Sequence, residues 1–70
     1  MHQKQLGETL KARREALGVT QEHLAELSGV ALRTLKALET GNANPTLETL
    51  NKLTEVLGLD IKISVRTLLP

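Results

Sequence analysis

The spacing of apolar residues predicts four helices followed by one strand. Apolar positions recur three and four residues apart over 4–17, 21–28, 32–39 and 47–57, which is the pattern of a helix with one buried face. From residue 59 the period changes to two, and 59–66 alternates apolar and polar residues without a fault, as in a strand. A glycine ends each helical segment, as helix C-terminal caps commonly require: Gly18, Gly29, Gly41 and Gly58.

The same periodicity predicts which side chains form the core. Each helix presents one apolar stripe, and Val30 is a lone apolar residue in the turn after the second helix. The stripes consist of Leu6, Leu10, Arg14 and Leu17 in helix one, Leu24 and Leu27 in helix two, Leu35 and Leu38 in helix three, and Leu47, Leu50, Leu53, Val56 and Leu57 in helix four.

Residues 20–41 form the most informative segment of the chain. Thr20 is a good N-cap for a helix, and Gly29 supplies a tight turn between two short helices. The outer face of the second of these helices carries two cations, Arg33 and Lys36. Two short helices joined in this way indicate a helix-turn-helix, which inserts its second helix into the DNA major groove.

The strand predicted over 59–66 has no second strand in this sequence to pair with. An unpaired strand leaves its backbone N–H and C=O groups unsatisfied and its apolar face uncovered. The simplest solution is the same strand of a second copy, antiparallel across a two-fold axis. The dimerisation residues are then Leu59, Ile61, Ile63 and Val65. A disordered tail, or a segment folded back on its own helices, is the alternative, and 67–70 is expected to fray.

Composition narrows the class of protein without naming a function. The chain has 70 residues, which is the size of one domain, and it contains neither cysteine nor an aromatic residue. A net charge of +1 does not by itself indicate nucleic-acid binding. The N-terminus has no apolar signal region, and no run of about 18 apolar residues could span a membrane. We therefore expect a cytoplasmic domain with no membrane partner.

Residues that could support catalysis or metal binding are too few and too scattered. His2 and His23 lie far apart, and no second His or Cys accompanies either of them. The chain has no nucleophile–base set, no Gly-rich phosphate loop and no paired catalytic carboxylates. We expect no enzyme activity, no cofactor and no metal.

Residues 6–58 resemble the lambda-repressor-like DNA-binding domains of the Cro and xenobiotic-response-element (XRE) type. The resemblance rests on Thr-Gln at a helix start, Leu-Ala within that helix, Gly-Val at the turn, Thr-Leu in the next helix and Leu-Glu-x-Gly at its end. Each piece is common, but their order and spacing are specific. The resemblance implies a mainly α, four-helix fold over 1–58, to which the strand over 59–66 would add homodimer pairing.

The resemblance also implies roles for individual residues. Gln21 matches a phosphate contact, the positions after the turn match residues that face bases, and Thr40 matches a position whose backbone N–H approaches a phosphate. Arg14 and Glu39 match a structural ion pair between helix one and the end of helix three. The implied DNA-binding set is Thr20, Gln21, Ala31, Leu32, Arg33, Lys36, Ala37 and Thr40.

The chain departs from the family pattern at two places. Ala31 stands where a serine usually caps helix three, so the start of that helix should be weaker by about 1 kcal/mol. The strand replaces a further helix, and this ending is similar to the HipB branch of antitoxin repressors.

The resemblance implies a homodimeric repressor on a palindromic operator. The alternative is a HipB-like antitoxin that neutralises a HipA-like kinase toxin and represses their shared operon. Residue by residue, other roles also remain open. Arg33 and Lys36 could form an ordinary solvated surface, Gln21 could be only a helix former, and Leu32 could pack on helix two. An adaptor that keeps the fold without reading DNA is a third possibility.

Overall fold

The structure, a computed structural model, describes residues 2–62 and contains the four predicted helices. They are α1 (Gln3–Ala16), α2 (Gln21–Ser28), α3 (Leu32–Glu39) and α4 (Leu47–Leu57). The bounds of α2, α3 and α4 are those predicted, whereas α1 begins and ends one residue earlier. No strand occurs between residues 2 and 62, so the described part of the chain is entirely helical outside its turns.

Leucine side chains form the core, as expected for a chain without aromatic residues. α1 packs against α3 and α4, and α2 packs against the same two helices. The fully buried side chains come from all four helices: Leu10, Leu24, Leu35, Leu38, Leu53 and Leu57. Val30 is buried with them, so the prediction for this turn residue is confirmed.

A glycine inside α1 allows this helix to approach the end of α3 closely. A Cβ atom at Gly7 would overlap the backbone carbonyl oxygen of Leu38 and lie 3.0 Å from that of Glu39. Gly41, which follows α3 with φ of +77°, has similarly little room, because its Cβ would lie 3.1 Å from Cα of Lys4. The C-terminal end of α3 is therefore held directly against the first turns of α1.

Three leucines that were predicted to be buried are exposed. Leu17 follows the last residue of α1, Leu27 lies on the outer side of α2, and Leu47 is the first residue of α4. Each lies at or near a helix end or on a short helix that buries only Leu24. The periodicity continued through these positions, but none of the three side chains is covered by a neighbouring helix.

The chain leaves α4 through Gly58 and continues along the surface. Leu59 is half-buried and packs against the core, whereas Asp60, Ile61 and Lys62 are exposed. These four residues do not form a strand within this single chain. The rest of the predicted strand, 63–66, and the predicted frayed tail, 67–70, lie outside the described residues.

Candidate nucleic-acid interface

The turn between α2 and α3 is held by short-range hydrogen bonds. Thr20 caps α2, because its Oγ1 accepts from the backbone N–H of His23 at 3.0 Å. At the other end, Gly29 adopts φ of +75°, a conformation that glycine takes without steric cost. Ser28 Oγ then accepts from the N–H of Val30 at 3.2 Å. These contacts fix the direction in which α3 leaves the turn.

α3 buries one side and exposes the other. Leu35, Leu38 and Glu39 face the interior, while Arg33 and Lys36 are exposed on the opposite side. Neither of these two cations forms an ion pair with any residue between 2 and 62. Leu32 and Ala37 are partly buried beside them, and Ala31 is exposed. The outer surface of α3 thus carries few long side chains, is positively charged and is accessible to solvent.

The start of α3 lacks a side-chain cap. Ala31 is the N-cap residue, and it makes no side-chain hydrogen bond to the first turn. The first backbone N–H groups of a helix have no partner within the helix, and together they form its positive end. At α3 these donors are left without the internal acceptor that Thr20 provides at α2.

Thr40 lies just past α3, and its groups are already engaged. Its backbone N–H donates to the carbonyl of Lys36 at 3.3 Å, and its hydroxyl lies 3.1 Å from the carbonyls of Lys36 and Ala37. The same hydroxyl oxygen accepts from the side chain of Asn42 at 3.0 Å. The N–H implied as a phosphate donor therefore belongs to the last turn of α3, although the residue itself is exposed.

The structure brings Arg14 and Glu39 together in a buried ion pair. Arg14 Nε donates to Oε2 of Glu39 at 2.7 Å, and Nη2 donates to Oε1 at 2.9 Å. The third donor, Nη1, reaches the carbonyl of Val19 at 2.8 Å. The side chains are only 11% and 2% exposed. This pair joins α1, the α1–α2 connection and the end of α3.

The pKa of Arg14 is raised and that of Glu39 is lowered, and both shifts favour the charged forms. The hydrogen bond with Glu39 raises the pKa of Arg14, despite the opposing effect of burial. Burial alone would raise the pKa of Glu39, but hydrogen bonds from Arg14 and Gln21 outweigh burial and lower that pKa. Both residues therefore remain charged in the folded protein at neutral pH.

Gln21 forms a hydrogen bond with this ion pair, and the sequence did not predict this contact. Its Nε2 donates to Oε1 of Glu39 at 2.9 Å. The two residues are far apart in sequence, on α2 and α3, so no helical or strand period relates them. The side chain implied as a phosphate contact is therefore tied in this structure to the ion pair.

No three His, Cys, Asp or Glu side chains between residues 2 and 62 lie close enough to hold a metal ion together. None of the helices in this part of the chain is long and apolar enough to cross a membrane.

Sequence comparisons agree with the arrangement of these helices. A family model described as "Helix-turn-helix" matches residues 10–63. A transcriptional regulator of the same type from Haemophilus influenzae, named as uncharacterized, is 44% identical over 50 residues, covering 71% of this chain and 51% of its own length. Another such protein, from Methanothermobacter thermautotrophicus, is 41% identical over 49 residues, or 70% of this chain and 71% of its own. The chain spans about half the length of the Haemophilus relative.

A solved structure extends this similarity to three dimensions. The restriction-modification controller protein C.AhdI from Aeromonas hydrophila has a TM-score of 0.78 with this chain at 33% sequence identity, covering 81% of this chain and 86% of the controller. None of these proteins is named as a HipB-like antitoxin, so that finer assignment is not shown. The broader expectation is confirmed: the chain belongs to the helix-turn-helix family of DNA-binding transcription regulators.

Proposed function

We propose that this chain binds double-stranded DNA as a homodimer and represses transcription by occupying a palindromic operator. The observation that carries the proposal is the outer surface of α3, where Arg33 and Lys36 are exposed and unpaired among residues 2–62. A helix presented in this way beside a fixed turn is the geometry with which helix-turn-helix domains enter the major groove.

The side chains of α3 divide into those that read bases and those that hold the backbone. Arg33 has the planar fork that pairs with the O6 and N7 atoms of guanine, a contact worth about 1–3 kcal/mol of discrimination. Lys36 is a flexible point charge and suits a phosphate or a single acceptor. Leu32 and Ala37 offer only apolar contact, for instance with a thymine methyl group.

The residues around α3 complete the proposed contact surface. Thr20 and Gln21 lie at the start of α2, and Ala31 and Thr40 lie at the two ends of α3. Contacts from such positions to phosphates would fix the register of the protein on DNA without carrying sequence information directly. The uncapped start of α3 adds partial positive charge near Ala31.

The segment after α4 supports the dimer. Leu59 and Ile61 are the first two apolar residues of the alternating stripe, and Ile61 is 41% exposed beside an apolar groove between α1 and α4. A second copy that paired along Leu59, Ile61, Ile63 and Val65 would cover this surface and supply the missing backbone partners. Two copies of α3 would then reach successive major grooves about 34 Å apart.

A binding-site selection from random duplexes at low salt tests the DNA-binding proposal. We expect a symmetric consensus whose affinity falls as salt is raised, because phosphate contacts release counterions. Arg33→Ala should relax the preference at one position of each half-site. The control is Lys52→Ala, which removes a cation from α4, outside the α2–α3 unit, and should leave the consensus unchanged. Selection of no sequence by the wild-type protein would refute the proposal.

Light scattering at micromolar concentration tests the dimer separately. Ile61→Glu should yield a monomer and weaken operator binding, since it places a charge in the proposed interface. Lys62→Glu introduces the same side chain at the next, exposed position and should remain dimeric. A monomeric wild type would contradict strand pairing, although it would leave the assignment of α3 intact.

The HipB-like alternative depended on the alternating ending alone. Nothing among residues 2–62 or in the relatives named above favours a HipA-like kinase as a partner.

A further inference from the structure

The carboxylate of Glu39 is shared between an arginine and a glutamine of different helices. Arg14 of α1 donates to both of its oxygens, at 2.7 and 2.9 Å, and Gln21 of α2 donates to Oε1 at 2.9 Å. The Glu39 side chain is 2% exposed. Arg14 alone supplies the compensating charge and two hydrogen bonds, so the ion pair does not depend on Gln21 for its charge balance.

The hydrogen bond has a larger effect on Gln21 than on Glu39. Gln21 is the first residue of α2 and only partly buried, and a free glutamine side chain at such a place would sample many rotamers. Glu39 is held by Arg14, and Arg14 is itself held by the carbonyl of Val19 at 2.8 Å. A fixed acceptor therefore restrains a side chain that would otherwise move.

The acceptor also determines which way the amide faces. A carboxylate can only accept hydrogen bonds, so it selects the orientation with Nε2 toward Glu39, whereas the flipped amide would place two oxygens together. Nε2 carries two N–H groups, and the bond to Glu39 uses one of them. The other remains for an acceptor such as a phosphate oxygen. Arg14 neutralises Glu39, so the carboxylate does not repel an approaching phosphate as a lone anion would.

We propose that Glu39 is a positioning residue, which holds the Gln21 amide ready in the free protein for a DNA phosphate. This inference rests on the proposed function, because it takes Gln21 to contact the DNA backbone. Glu39 itself, which is buried, would not touch the DNA. Its contribution is the rotamer freedom that Gln21 no longer has to lose on binding, which corresponds to about two- to tenfold in affinity.

A double-mutant cycle on operator affinity tests the proposal. One arm replaces the ion pair as a unit, Arg14→Met with Glu39→Leu, since apolar replacement of both partners avoids a buried unpaired charge. The other arm is Gln21→Ala, and the third protein combines all three changes. Thermal unfolding followed by circular dichroism establishes that each protein is folded at the assay temperature.

The expected result is a coupling between the two arms. Replacing the pair should weaken operator binding about two- to tenfold when Gln21 is present, and should have no further effect in the Gln21→Ala background. An equal loss in both backgrounds would show that the pair acts only through the fold, and would overturn the positioning role. If Gln21→Ala leaves affinity unchanged while Arg33→Ala alters the consensus, the phosphate contact and this inference fail together and the DNA-binding proposal survives.

A measurement on the wild-type protein keeps the test decisive if the pair variant does not fold. Side-chain nitrogen relaxation should show an ordered NH₂ group at Gln21 in the DNA-free protein, and its bonded amide proton should exchange slowly with water. The side-chain amide of Gln5, an exposed glutamine of α1, is the internal control and should show the relaxation of a mobile group. A Gln21 amide as mobile as that of Gln5 would overturn the proposal.

Discussion

α2 and α3 are both eight residues long, but their ends are held differently. α2 begins with a side-chain cap from Thr20 and buries only Leu24. α3 begins at Ala31 without a cap and buries Leu35, Leu38 and Glu39. The helix proposed to enter DNA is thus held by packing and by its C-terminal end, where it meets Gly7, while its N-terminus has no side-chain cap.

This difference shows how a small domain can hold a helix in place and still leave the backbone N–H groups at its N-terminus free to bind a partner. Leu35 anchors the middle of α3, and Leu38 and the ion pair anchor its C-terminal half, so the position of the helix does not depend on a cap. The N-terminus of α3 is left with free backbone donors and, at the N-cap position, the small side chain of Ala31. We infer that stability and recognition are assigned to different ends of the same helix.

Breaking the Arg14–Glu39 ion pair should cause the largest loss of stability, because this pair anchors the C-terminal end of α3. Arg14→Met leaves the carboxylate of Glu39 buried with only Gln21 as a donor, and we expect a cost of about 3–5 kcal/mol. Arg13→Met is the matched control. Arg13 is exposed, and its one hydrogen bond, to the carbonyl of Leu57, should contribute about 1 kcal/mol. Urea unfolding of both variants measures the difference, and equal losses would contradict the assigned role of the pair.

Acid should weaken the same anchor without any mutation. The pKa of Glu39 lies below its ordinary value of 4.5 in the folded protein, so the pair contributes stability above that ordinary pKa. This contribution is lost as the pH falls through the lower pKa of the folded state. We therefore expect the gap in Tm between wild type and Arg14→Met to narrow as the pH is lowered below the ordinary pKa of 4.5. A gap independent of pH would mean that the carboxylate is not responsible.

Filling the contact between α1 and α3 should be the next most damaging change. Gly7→Ala places a methyl group onto the carbonyl of Leu38, so the two helices must separate, at a cost of about 1–3 kcal/mol. Glu8→Ala changes the adjacent, exposed residue of the same helix and should be nearly neutral. Chemical denaturation compares the two variants. A Gly7→Ala protein as stable as wild type would show that the end of α3 is not held in this way.

Periodicity predicted the helices because each carries apolar residues spaced three and four apart. It also placed Leu35 and Leu38 correctly in the core. It could not show that Leu27 would be exposed, because that depends on how far neighbouring helices extend. The bond between Gln21 and Glu39 joins residues of separate helices, and no local spacing relates them. Gly7 did leave a signal: a glycine inside a predicted helix, on the side of Leu10 and Arg14, indicates a close approach of backbone.

Removing the N-cap of α2 and adding one to α3 should have the smallest effect on stability. These changes bear most directly on the comparison between the two helices. Thr20→Ala removes the acceptor for the N–H of His23 and should cost about 1 kcal/mol, whereas Ala31→Ser gives α3 a cap of the same kind and should gain a similar amount. Both changes are read as shifts in the free energy of unfolding, and Thr46→Ala, at the capped start of α4, calibrates the loss. If the start of α3 is kept free for recognition, Ala31→Ser should stabilise the protein while altering its operator affinity or consensus. A serine that stabilised α3 and left DNA binding untouched would show that the missing cap has no part in recognition.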